Sequence, residues 1–279
     1  MDIKLGAWAF IDIETSGIDA ATDKIIDVGY LRFEDTKLVS TYRSLVRFPT
    51  DDQPEEKLSH FIQKLTGIKA KELKKAPPWR EVEVEVQALA DCILVAHNAE
   101  FEKSFLEESF ERIGSSEETD GQRWNDSLYF LALLNPRASS LGLEHYITKW
   151  KLREKEIHRG YEDSLDLLKV LLLEVYHCVQ FDSKKMQDYW FYRFLLLPSS
   201  DLITIAEQID FDLASVAKNA LSLNQSVQSQ ALGEWDFPLA FGGEQVEKIF
   251  LDEMEIQKVF PNYKKRDSQI ELAKRVGQS

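Results

Sequence analysis

The stretch AWAFIDIETSGID, residues 7–19, decides how this chain is read. Over residues 7–14 the side chains alternate strictly. Ala7, Ala9, Ile11 and Ile13 share one face, and Trp8, Phe10, Asp12 and Glu14 share the other. A period of two is the signature of a strand, and TSGID after it reads as a turn. Two further runs rich in strand formers, 25–33 and 39–47, follow over short connections, which predicts an antiparallel meander. A polar loop at 49–56 leads to helices at 58–65 and 79–90, separated by the basic, proline-containing KAKELKKAPP. A short buried strand at 92–96 ends at His97. Residues 100–113 have helical spacing, with Phe101, Phe105, Leu106, Phe110 and Ile113 on one side. After the acidic loop SSEETDG come a short strand at 124–126 and helices at 128–134, 141–150 and 161–179. Strands that first meander and then alternate with helices predict an α/β fold, a mixed sheet covered by helices.

Beyond about residue 180 the character changes. The aromatic run QDYWFYRFLLL within 186–197 reads as a helix that must pack on something, and Ser199, Ser200 and Asp201 read as the cap of another reaching about 209. LSLNQSVQSQA, 221–231, reads as a linker. The expected division is a domain over 1–180, a helical extension over 181–224, and a linker with a tail over 225–279.

The 279 residues are ample for a core. Asp and Glu number 48 against 34 Lys and Arg, a net charge of -14. That balance argues against a general nucleic-acid coating protein, but it suits an enzyme that collects carboxylates around divalent metal and needs only a local basic track. Two cysteines, Cys92 and Cys178, exclude a disulfide scaffold and a Cys-rich zinc site. The sequence shows neither a membrane-length apolar run nor a signal-like start, so the expectation is an intracellular, cytoplasmic protein with no membrane partner.

Three constellations carry candidate chemistry. Asp12 and Glu14 lie two apart on a strand and point the same way, where like charges raise each other's pKa unless a cation sits between them. AHNAEFEKSFL, 96–106, runs from a strand into a helix whose first turn holds Glu100 and Glu102, where carboxylates also favour the helix dipole. HRGYEDSLDLL, 158–168, sets His158 in a glycine-containing loop with Asp163 five residues on. Each has a commoner structural meaning on its own: an acidic strand end, a helix terminus, a surface histidine.

Taken in order, the three resemble the motifs of the DEDDh 3′–5′ exonucleases. FIDIETSG is similar to that family's first motif, AHNAEFEKSFL to its second and HRGYEDS to its third. RWNDSLYFLALLNPRASSLGLEHY resembles the connecting segment. The resemblance covers roughly residues 7–175 and implies a ribonuclease-H-like, five-stranded mixed sheet. It implies hydrolysis of phosphodiesters from single-stranded 3′ ends, DNA ahead of RNA, with release of 5′-mononucleotides. It also implies two Mg²⁺ or Mn²⁺ ions held by Asp12, Glu14, Glu102 and Asp163, His158 as general base, and Thr15, Ser16, Asn98, Phe101 and Arg159 at the substrate. One position departs from the pattern. Glu102 stands where the family usually has Asp, which adds a methylene at a site whose metal demands near-octahedral geometry. The alternative that this leaves open is a weak or inactive exonuclease-fold module that binds single-stranded ends or tethers a helicase.

Two basic stretches are candidate strand tracks: Lys149, Lys151, Arg153, Lys155 and Arg159 leading into the His158 loop, and Lys69, Lys71, Lys74 and Lys75. FPNYKKRDSQIELAKRVGQS, 260–279, resembles the leading segment of DinG-type helicases, with Tyr263, Arg266 and Gln269 at matching places, and implies a fused or partner helicase. The chain has no Gly-x4-Gly-Lys-Ser/Thr loop of its own for ATP phosphates.

Overall fold

The computed structural model describes residues 3–50, 57–114, 123–135, 138–177 and 190–224. The loop at 115–121, Cys178, the start of the aromatic run, most of the expected linker and the whole helicase-like tail lie outside them. The elements in chain order are β1 (Ala7–Thr15), β2 (Ile25–Glu34), β3 (Lys37–Leu45), α1 (His60–Thr66), α2 (Ala70–Leu73), α3 (Trp79–Gln87), β4 (Ile93–Ala96), α4 (Ala99–Arg112), β5 (Arg123–Asp126), α5 (Ser127–Leu134), α6 (Leu143–Lys149), α7 (Gly160–His177), α8 (Trp190–Leu195), α9 (Ser199–Glu207) and α10 (Leu213–Asn224).

The sheet order is β3-β2-β1-β4-β5. β1, β2 and β3 pair antiparallel, whereas β4 joins β1 and β5 joins β4 in parallel. This is the mixed, five-stranded, ribonuclease-H-like sheet that the motifs imply. β1 is the central strand, and its alternation serves two cores. Trp8 and Phe10 pack with α5, α6, α7 and the C-terminal helices, while Ala9, Ile11 and Ile13 pack with α3 and α4. A strand apolar on both faces belongs between two layers, because either face left in water would forfeit its burial.

α7 seats against this strand by direct backbone contact. Gly29 on β2 is paired with Asp12, and a side chain there would collide with the backbone at Gly160 and Tyr161. A Cβ on Gly160 would meet the Asp12 carbonyl in turn. Two glycines therefore let the first turn of α7 lie on the sheet beside Asp12, and the Ser164 hydroxyl donates to the Gly29 carbonyl at 3.1 Å.

The aromatic run finds its partner in the first strand. Trp190 and Phe194 of α8 surround Trp8 at 5.1 and 5.9 Å between ring centroids, and Phe191 stacks on Phe130 at 4.4 Å. α9 and α10 add Leu202, Ile205, Leu213 and Ala217 to the same core. Three local readings are corrected. The KAKELKKAPP stretch contains a turn of helix, α2, which Leu73 anchors in a small core with Ile26 and Phe48. α9 begins after Pro198, with no side-chain cap from the serines. Residues 213–224 form a helix, so the segment read as linker starts inside α10.

Candidate active site

The C-terminal end of β1 delivers Asp12 and Glu14 to one place, and three other elements bring groups to meet them. α4 opens after β4 with Asn98 at its N-cap, and Asp126 at the end of β5 positions that opening. The Asp126 carboxylate accepts from the Asn98 N–H at 3.1 Å and from the Leu128 N–H at 2.9 Å, so it ties α4 to α5. Residues two apart on a helix point about 200° from each other. Here Glu102 is buried and Glu100 is exposed. From the third motif, Asp163 on the first turn of α7 is 1% exposed, and its Oδ2 accepts the Arg159 N–H at 2.8 Å. Glu14, His158 and Asp163 each offer a ligand atom within 4.8 Å of the others.

Burial dominates the electrostatics. It pushes the Asp12 carboxyl well up, reinforced by Glu102, Glu14, Asp163 and Glu156. Burial also raises Glu14, Glu102 and Asp163, and the neighbouring carboxylates Asp163, Asp126 and Glu156 respectively add to it. Glu102 Oε2 and Asp163 Oδ1 are buried without a hydrogen-bond partner. Unpaired buried carboxylate oxygens are costly. Hard oxygen donors converging in this way suit a divalent cation such as Mg²⁺ or Mn²⁺, and in that respect the residues present fit the metal that the motifs imply.

His158 is partly exposed, and its Nδ1 lies 3.9 Å from the Glu156 carboxylate. The loop that carries it is pinned from both sides. Arg159 donates from Nε to Asp27 at 2.6 Å, and Asp27 is paired with Glu14 across β1 and β2. His158 and Asn98 both adopt left-handed backbone conformations, with φ of 59° and 74°. Such non-glycine residues are uncommon and cluster at functional sites.

The expected substrate residues divide. Asn98 is exposed and makes no side-chain cap. Phe101 is partly buried against Phe105, with ring centroids 4.8 Å apart. Thr15 and Ser16 use their hydroxyls to brace the turn, Thr15 donating to the Gly17 carbonyl and Ser16 accepting from the Lys24 N–H at 3.0 Å. Arg159 pairs through Nε with Asp27, and its side chain stays 36% exposed. Two more residues of its track are paired, Arg153 with buried Asp166 at 2.6 Å and Lys149 with Glu174 at 2.5 Å, while Lys151 and Lys155 are exposed and enter no ion pair among the described residues.

Three residues near the centre escaped the sequence reading: Asp126, Asp27 and Glu156. Asp126 carried a signal, an Asp-Ser pair opening an apolar helix. Glu156 carried only its place two residues before His158. Asp27 carried none, since its role comes from the pairing of β2 with β1.

Residues 9–171 match the RNase T exonuclease family. The chain belongs to the exonuclease family. Its exonuclease domain is similar to the 3′-5′ exonuclease DinG of Staphylococcus epidermidis, 27% identical over 66% of this chain and 20% of that protein. It is also similar to the PolC-type DNA polymerase III of Staphylococcus saprophyticus, 29% identical over 58% of this chain and 11% of that one. The chain thus matches about a fifth or less of the length of these relatives. Among solved structures, exonuclease I of E. coli in complex with a dA16 oligonucleotide aligns with a TM-score of 0.48 at 18% identity, over 61% of this chain and 40% of that one. No described helix is long and apolar enough to cross a membrane.

Proposed function

We propose that this protein is a metal-dependent 3′–5′ exonuclease that removes 5′-mononucleotides from single-stranded nucleic acid, DNA ahead of RNA. The observation that carries this reading is the convergence of Asp12 and Glu14, half-buried, with Glu102 and Asp163, buried, none of them in an ion pair among the described residues, beside a reachable histidine. Asp12, Glu14, Glu102 and Asp163 would hold two Mg²⁺ or Mn²⁺ ions. When bound, these neutralise phosphate charge and acidify the attacking water.

His158 supplies the base. An imidazole is a general base for water, and a ring nitrogen of His158 lies within 4.8 Å of ligand oxygens of Glu14 and Asp163. The water oxygen forms its bond to the terminal phosphorus as its proton passes to the imidazole. The bond from that phosphorus to the preceding 3′ oxygen breaks, and the leaving oxygen is protonated from solvent. Asp163 and Asp27 act through Arg159 to hold the loop in the conformation that presents the ring. Asn98 and Phe101, at the opening of α4, and the backbone at Thr15 and Ser16 line the approach of the terminal nucleotide.

The second reading, a module that binds ends without cutting, rests on Glu102 in place of Asp. One assay separates the two. Single strands labelled at the 5′ end and at the 3′ end are incubated with Mg²⁺, Mn²⁺ or EDTA. A ladder shortening from the 3′ end only when metal is present supports the enzyme, whereas intact strands in every condition replace it with the binding module. The helicase-like tail and the similarity to DinG support an association with a helicase, fused or separate, in the cytoplasm. Co-purification of the full chain with ATPase activity tests that association.

A further inference from the structure

The chain carries a net charge of -14, yet residues 57–80 hold seven Lys and Arg against the single carboxylate of Glu72. The acidic residues Asp51, Asp52, Glu55 and Glu56 precede this segment, outside the described residues. Lys57, Lys64, Lys69, Lys71, Lys74, Lys75 and Arg80 are all exposed. Among the described residues none of these six lysines enters an ion pair, in contrast with Lys149, Arg153 and Arg159, which pair with buried carboxylates. On the same segment Phe61 is 69% exposed, with Leu65 one turn further along α1.

This segment is held firmly and held close to the active site. Ile62, Ile68 and Leu73 pack on Ile26 and Phe48, and Ile26 immediately precedes Asp27, the partner of Arg159. Arg47 donates from its backbone to the Pro77 carbonyl at 2.8 Å and from Nε to the Ala76 carbonyl at 3.1 Å, closing the far end onto the sheet. Glu72 of α2 acts electrostatically on the Arg159 guanidinium. The backbone that carries the lysines is therefore fixed to the sheet, with Glu72 near Arg159 of the catalytic loop.

We infer that the exposed face of α1 and α2 is where the single strand runs 5′ of the nucleotide being removed, with its phosphates against Lys69, Lys71, Lys74 and Lys75 and a base against Phe61. The inference rests on the exonuclease reading above. Exposed cations, in no ion pair among the described residues, and an exposed aromatic ring are the two components of sequence-tolerant single-strand binding, one for the phosphates and one for the bases. A strand approaching an acidic protein needs such a track, since the rest of the surface repels it.

The test measures binding and chemistry separately. Binding of a 5′-fluorescein-labelled oligothymidylate of about 20 nucleotides is followed by anisotropy in EDTA, where no cleavage occurs. Turnover of the p-nitrophenyl ester of thymidine 5′-monophosphate with Mn²⁺ reports on the active site without a strand. The triple variant K71E/K74E/K75E should bind the oligonucleotide at least about tenfold more weakly. Its salt dependence should become shallower by about 0.7 in log K per log salt for each phosphate that the variant no longer neutralises. Phe61→Ala should weaken binding about tenfold. Both variants should turn over the ester as the parent does, which shows that they are folded. Lys151→Glu with Lys155→Glu, two exposed lysines of the other stretch with no exposed aromatic ring beside them on that stretch, should weaken binding clearly less than the triple variant does. The inference is overturned if the triple variant binds like the parent, or if the Lys151 and Lys155 variant loses as much. If the parent fails to cleave the ester, the exonuclease reading falls, and the anisotropy arm still decides the surface.

Discussion

Helix α7 carries two kinds of buried carboxylate, and they differ in what neutralises them. Asp166 is fully buried and accepts from Arg153 at 2.6 Å and Lys169 at 3.4 Å. Glu174, 6% exposed, is surrounded by Lys149 at 2.5 Å, the Trp150 indole at 2.7 Å and the Asn135 amide at 2.9 Å. One turn earlier Asp163 is as buried as either, but it receives a single backbone N–H, leaves one oxygen without a partner, and faces Glu14, Asp12 and Glu156. Burying a charge is tolerated when it is paired and costly when it is not. The first set is already satisfied by the fold. The second has no cationic side chain paired to it among the described residues, which leaves it to hold protons or to take up cations, and that difference separates the two sets along one helix.

The contrast can be broken from either side. The largest effect is expected at the unpaired set, where Asp12→Asn should reduce 3′ cleavage to the background of the buffer. It should also raise the melting temperature in EDTA, because a like charge has been removed from a repulsive cluster. Calorimetry and a labelled-strand assay on the same preparation check both signs, and a lower melting temperature would count against the cluster as described. His158→Ala comes next, with a rate loss of about 10²–10⁴-fold in single-turnover cleavage and metal affinity nearly unchanged.

The paired set should answer in stability instead. Asp166→Ala strands Arg153 and Lys169 and should cost about 3 kcal/mol in urea unfolding, while the Mg²⁺ dependence of any residual activity stays the same. A pH series sharpens the comparison further. The raised carboxyls of Asp12, Glu14, Glu102 and Asp163 keep their protons in the fold at a pH where the unfolded chain has lost them. Their contribution is therefore complete below the ordinary carboxylate range and is lost as pH rises through their folded values. Metal-free protein should melt at a lower temperature at pH 8 than at pH 5.5, and Mn²⁺ should restore more at pH 8. The smallest effect concerns the departure in the second motif. Glu102→Asp should retain or raise Mg²⁺-supported cleavage, and Glu100→Ala should leave it within about twofold, since an exposed helix-terminus charge is worth little. Steady-state rates with Mg²⁺ and Mn²⁺ measure both.

The strands at Asp12 and His97, the helices carrying Glu102 and Asp163, and the loop carrying His158 were legible because each is a local pattern of period two or 3.6 with a break beside it. The aromatic run at 190–194 was legible as something that must pack, and only the structure shows that it packs on Trp8. The short helix α2 was hidden because a four-residue helix has little propensity of its own and forms on the Leu73 anchor. The last stretch of α10 reads as linker for a related reason, since the segment's burial against the core begins upstream at Leu213 and Ala217.

The amino-acid order by itself determined the alternation of β1, the positions of the three acidic motifs, and the surplus of lysine in 57–80. These are properties of neighbours along a chain. Tertiary structure alone decided which charges are free. Lys149, Arg153 and Arg159 look like a track in sequence, yet they end on Glu174, Asp166 and Asp27, residues 25, 13 and 132 positions away. The lysines in and around α1 and α2 look no different, yet they are exposed and enter no ion pair among the described residues. Coulomb energy depends on distance through space and on the solvent between the charges, and the chain's own order specifies neither until the sheet and α7 have closed over Gly29 and Gly160.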